Sequence, residues 1–74
     1  MIATAQYQHP QTHQTASIVL YRSTKDYAVC AYIGGEDESG PTWMERTPTE
    51  TGARQCGNLW HQRLVRNYGM SRIR

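Results

Sequence analysis

The sequence predicts an α+β fold, a small two- to three-stranded antiparallel sheet packed against one C-terminal helix. Three observations predict it. Two β-branched and aromatic runs are separated by a break of hairpin length, and a Gly- and Pro-bounded loop follows them. A helix-start signal then precedes an apolar stripe with helical spacing.

Residues 1–15 are rich in Gln and Thr, with His9-Pro10 inside, and read as a polar arm or an edge strand over Ile2–Tyr7. Residues 16–74 read as a single α+β domain. The first strong element is ASIVLYR, residues 16–22, of the residue types strands prefer. Its apolar side chains fall on both alternation sets, which predicts a central strand or one covered on both sides. Ser23–Asp26 is a hairpin-length break. YAVCAYI, residues 27–33, is the second strand, with Tyr27, Val29, Ala31 and Ile33 on one face and Ala28, Cys30 and Tyr32 on the other. GGEDESGP, residues 34–41, is a loop by composition, and TWMER, residues 42–46, is a short edge strand.

Thr47-Pro48-Thr49-Glu50 reads as a capping box, with Thr47 as N-cap, Pro48 at the first helical position and Glu50 three residues after the cap. The predicted helix runs from Pro48 to Tyr68, with Gly69 as its C-terminal stop. At about 100° per residue, Ala53, Cys56, Gly57, Trp60, Leu64 and Tyr68 form one stripe, which is a core face. Gly57 in mid-stripe predicts a close approach of the helix to a strand. One helix covers one side of a sheet, so Val19, Tyr21, Cys30 and Tyr32 are expected on an uncovered face, a candidate interface or homodimer surface.

A chain of 74 residues holds one small core. A cavity of roughly 300 Å³ would consume much of such an interior, which lowers the expectation of an enzyme. There is no apolar run long enough to span a membrane and no basic-then-apolar leader, so the expected location is cytoplasmic, with no membrane partner. Two cysteines do not make a disulfide framework and are expected as reduced thiols.

Net charge is +2, but it is divided. Residues 1–50 carry three basic against six acidic side chains, a balance of −3, whereas residues 51–74 carry five arginines and no acid, a balance of +5. Such asymmetry points to an anionic partner or to the chain's own acidic loop.

Catalytic and metal constellations are absent. His9 and His13 have H-x3-H spacing, but the cysteines do not form the C-x2–4-C pair of a zinc site. Cys56 and His61 sit about 140° apart around one helix and do not meet. Glu36-Asp37-Glu38 lacks the alternate spacing of a calcium loop. No nucleophile elbow, phosphate cradle or H-E-x-x-H occurs. The sequence therefore predicts no cofactor, no metal and no enzymatic activity.

What remains is a surface. Arg, Tyr and Trp are the residue types enriched at interface hot spots. The expectation is a non-enzymatic binding protein that regulates or inhibits a larger macromolecular complex, itself a candidate nucleic-acid-processing one, through a protein–protein surface. Arg63, Arg66, Arg72 and Arg74 are the expected partner contacts, with Tyr21, Tyr32 and Trp43 as apolar anchors. Free-standing chains this short without cofactor motifs are typical of phage and mobile-element accessory genes, inhibitors of host defence such as anti-CRISPR proteins among them. The alternative is a nucleic-acid-binding module using the Arg-rich C-terminus. Against it, Arg54, Arg63 and Arg66 spread around the helix rather than lining one side.

Overall fold

The computed structural model describes residues 2–34 and 40–74, and the acidic trio Glu36-Asp37-Glu38 lies outside them. Among the described residues the chain forms β1 (Ala3–Gln8), β2 (Thr15–Arg22), β3 (Tyr27–Ile33), β4 (Trp43–Thr47), α1 (Glu50–Arg66) and β5 (Ser71–Arg72). The sheet is antiparallel and five-stranded, in the order β4-β3-β2-β1-β5. The first four strands are a meander. The chain then crosses one face as α1 and returns to pair on the far side of β1.

The sheet thus has two strands more than the upper expectation, and both come from segments with weak strand signals. In β1, Ala3, Ala5 and Tyr7 alternate with Thr4 and Gln6, and pairing runs from Ala3↔Leu20 to Gln8↔Thr15. Alanine and glutamine have little strand preference of their own, so backbone pairing with β2 and the burial of Tyr7, 1% exposed, decide the conformation. His9 and His13 belong to the turn that joins the two strands. His9 Nδ1 accepts from the Gln11 and Thr12 N–H groups, both at 3.1 Å, and the His13 N–H donates to the His9 carbonyl at 3.0 Å. The H-x3-H spacing therefore closes a hairpin.

β2 is the central strand, as its two apolar faces predict. Ala16, Ile18 and Leu20 face the helix, while Ser17 and Val19 face away. The Ser23–Asp26 turn is closed by the Ser23 N–H donating to the Asp26 carbonyl at 2.9 Å. Arg46 bridges Asp26 at 2.8 Å and ties this turn to the edge strand β4.

The helix starts two residues later than the capping box implies. Thr47 stays in β4, paired with Tyr27, and its hydroxyl donates to the Thr49 carbonyl at 2.9 Å. Thr49 is the actual N-cap, extended at φ −130, with its hydroxyl accepting from the Gly52 N–H at 3.0 Å. Strand pairing of Thr47 and the extended preference of a residue before proline outweigh the local signal. At the other end Asn67 is the C-cap, and Gly69 adopts a left-handed φ of +69. That turn lets the Met70 N–H donate to the Leu64 carbonyl at 2.9 Å and buries the Met70 side chain. It also carries Tyr68, expected in the core stripe, out to 42% exposure.

The core lies between the sheet and α1. Ala53, Trp60 and Leu64 pack on Ile18, Leu20, Val29 and Ala31, with Tyr7 and Met70 closing the ends. Leu64 is fully buried, a contribution of about 1.5–3 kcal/mol. Gly57 makes the expected close approach: a Cβ there would lie 3.3 Å from Leu20 Cδ1.

Candidate functional site

Among the described residues nothing packs on the sheet face away from α1. Alternation places Ser17, Val19 and Tyr21 of β2 there, with Ala28, Cys30 and Tyr32 of β3 and Met44 and Arg46 of β4. Some of Val19, Tyr21, Cys30 and Tyr32 were expected to be exposed here: the two tyrosines are half-buried, whereas Val19 and Cys30 are only 2% and 4% exposed. The register explains it. Val19 pairs with Cys30, and Thr4 and Met44 flank that pair on the neighbouring strands. Ser17, Val19, Ala28 and Cys30 are all buried and form the low floor of this face between larger side chains.

Tyr21 and Tyr32 stand at opposite ends of this floor. Tyr21 pairs with Ala28 and Tyr32 with Ser17, one row to either side of the Val19–Cys30 pair. Strand geometry puts their Cα atoms about 14 Å apart. The result is a shallow apolar trough with half-buried tyrosines at its ends and Met44, 53% exposed, along one side. Burial pushes the Cys30 thiol up, only partly offset by its hydrogen bond with Tyr32 and the charge of Arg46, so the floor stays neutral.

The other anticipated residues do not join this face. Trp43 points to the helix side, where its ring meets that of Trp60 at 5.2 Å. The Arg63 guanidinium lies 5.2 Å from the centroid of the Trp60 ring and extends the same stack. Arg66 is on the solvent side of α1, and Arg72 is paired with Tyr7 on the helix side of the sheet. Arg74 bonds to β1 through its backbone, the Gln6 N–H donating to its main-chain oxygen at 3.2 Å. The arginines of the basic end therefore leave the molecule in several directions.

A second constellation lies on the β1 flank of α1, and it draws on residues that sequence reasoning left unassigned. The Tyr7 hydroxyl is 2.6 Å from His61 Nδ1, with the rings 5.5 Å apart. Burial holds the Tyr7 hydroxyl in its protonated form, an effect that outweighs the nearby Arg72 charge. Arg54 and His61, two helical turns apart, share this flank. That i, i+7 spacing was the available signal, together with Tyr7 as the one aromatic ring in the N-terminal segment.

Among the described residues neither cysteine joins a histidine. Cys30 opens on the far face of the sheet. Cys56 lies on the β4 flank of the helix, its Sγ donating to Glu45 Oε2 at 3.3 Å. Burial first, then the bond to Glu45 and its charge, push that thiol up and away from thiolate chemistry. Among the described residues, no three His, Cys, Asp or Glu side chains are grouped to hold a metal ion. No helix there is long and apolar enough to cross a membrane.

Comparison with known proteins identifies no relative: no family model, no curated protein and no solved structure matches the chain.

Proposed function

We propose that this chain is a non-enzymatic binding protein that regulates or inhibits a larger protein complex by occupying one of its surfaces with the uncovered sheet face. The observation that carries the reading is the trough on β2, β3 and β4. It has a neutral apolar floor, two tyrosines at its ends and an exposed methionine at its side. Tyr and Met are enriched at protein interfaces, and short floor residues leave room for a partner's side chain. The reading extends to an accessory protein of the phage or anti-defence kind, working in the cytoplasm. Homodimerisation through the same face is the competing occupancy.

Direct nucleic-acid binding by Arg63, Arg66, Arg72 and Arg74 has less support, because these arginines do not line one track and, among the described residues, the trough carries a single cation, Arg46, already bridged to Asp26. The 14 Å or so between the tyrosines also exceeds the spacing of adjacent stacked bases.

The deciding experiment is cross-linking and affinity capture from the cells that make the protein, with wild type beside Tyr21→Asp and Met44→Asp. Both side chains project outward, so the variants should fold. A partner captured by wild type and lost with both substitutions supports the reading. Capture that survives them but fails with Arg63→Glu and Arg66→Glu overturns the assignment of the face. A concentration-dependent dimer in sedimentation, abolished by Met44→Asp, assigns the face to self-association instead. Binding to DNA or RNA that falls steeply with log[salt] favours the nucleic-acid alternative.

A further inference from the structure

On the opposite side of the sheet, α1 and β1 do not close on one another. A groove of about 370 Å³ runs between them, open to solvent. Its cause lies in side-chain size. Gly57 brings the helix down onto Leu20 of β2, but the next strand offers only the methyl groups of Ala3 and Ala5 towards the helix. The floor is therefore apolar, made by those alanines with Ile18 and Leu20.

Among the described residues the charged side chains on the rim are basic: Arg54 comes from α1 and Arg72 from β5, with the His61 imidazole beside them and no Asp or Glu side chain in the lining. Arg72 Nε donates to the Arg74 main-chain oxygen at 2.9 Å, which leaves its terminal nitrogens without a partner among the described residues. Arg54 makes one long contact with Glu50 at 3.5 Å, a surface pair of small value. His61 is held in place by the 2.6 Å hydrogen bond between its Nδ1 and the Tyr7 hydroxyl. Asn58 adds an amide to the same rim.

We propose that this groove binds a small organic anion, a phosphate or carboxylate head on an apolar or planar body. The head lies between the Arg54 and Arg72 guanidinium groups, whose forked donors match either anion. The body lies on the Ala3–Ala5 floor, where the two missing side chains leave space. The groove's volume falls in the range of small-molecule sites, although the sequence led us to expect none in a chain this short. The site is separate from the trough and does not depend on it.

Titration of the 15N-labelled full chain with adenosine 5′-monophosphate and with 1-naphthoate, followed by amide NMR, tests the proposal. Adenosine and inorganic phosphate are the controls. Saturable shifts confined to residues 3–7, 18–20, 54–61 and 72 with either anion support it, and the anion that binds more tightly identifies the head group. Arg72→Gln should then weaken binding at least five-fold, and Ala5→Leu should abolish it by filling the floor while the spectrum stays dispersed. Three outcomes overturn the proposal: no shift from either anion up to about 10 mM, shifts centred on Arg63 and Arg66, or unchanged affinity in Arg72→Gln. Equal affinity for inorganic phosphate and for the nucleotide would overturn the role of the apolar floor.

Discussion

On its β4 flank, α1 meets the sheet through Trp60 against Trp43, with Arg63 laid over the indole and Cys56 bonded to Glu45. On its β1 flank the same helix faces Ala3 and Ala5, and the gap is rimmed by Arg54, His61 and Arg72. Both flanks belong to one rigid element, so they differ because of what the strands present. The large Trp43 ring on β4 fills the space beneath the helix, whereas methyl groups on β1 leave it open. Cations appear on both flanks, but Arg63 has an aromatic face beneath it while Arg72 has only a main-chain oxygen. Packing is complete where residue volume suffices, and charge is left for a ligand where it does not.

The comparison can be broken most severely at the residue both flanks share. Leu64→Ala, at the centre of the buried stripe, should cost about 2–5 kcal/mol in denaturant unfolding, enough to leave a domain this small largely unfolded. A smaller but sharper test sets the flanks against each other. Trp43→Ala should destabilise by about 1–3 kcal/mol, since its ring supports Trp60. Ala5→Leu, which adds volume to the open flank, should change stability by less than about 1 kcal/mol. Equal losses from the two substitutions would mean that the β1 flank is as tightly packed as the β4 flank.

Tyr7→Phe removes the hydroxyl bonded to His61 and should cost about 1 kcal/mol at neutral pH. Its pH dependence follows from burial. The Tyr7 hydroxyl titrates above the ordinary tyrosine value of 10.0 in the folded chain, so the unfolded chain loses that proton first. The stability that the protonated form contributes is present below pH 10 and is lost as pH rises from there through the folded value. Wild type should therefore lose stability above pH 10 more steeply than Tyr7→Phe, measured by urea unfolding across that range. The smallest expected effect is on the closed flank. Glu45→Gln removes the charge that helps to raise the Cys56 thiol and should speed its alkylation a few-fold at pH about 8, read by mass spectrometry. An unchanged rate would mean that burial alone protects the thiol.

The elements with strong local chemistry were legible in advance. The central strand announced itself by apolar residues on both faces, and the helix by a stripe containing Ala53, Trp60 and Leu64, all of them buried. Gly57 forecast a contact that exists. Elements without such chemistry were harder to read. The Ala/Gln-rich β1 was read as either a polar arm or an edge strand over Ile2–Tyr7, and it is a strand whose outer side is taken by β5, itself too short at two residues to carry a pattern. The cap moved from Thr47 to Thr49 because β4 kept Thr47 for itself. On the uncovered face Tyr21 and Tyr32 were named from the sequence, while the burial of Val19 and Cys30 depends on cross-strand neighbours that a single strand does not reveal.

By itself the sequence determined the central β2–β3 hairpin, which helix face is apolar, and that the basic residues gather in the C-terminal third. These follow from local periodicity and composition, which act over a few residues. Only the tertiary structure decided where that charge goes. Successive side chains turn by about 100° on a helix, so Arg54 and Arg63, nine residues apart, stand on opposite sides of α1. Arg54 and Arg72, far apart in the chain, line one groove because β5 returns to pair with β1. The groove itself has the same origin: two alanines under a helix are unremarkable in a sequence and become a space only when the helix is held away by the strand beside them.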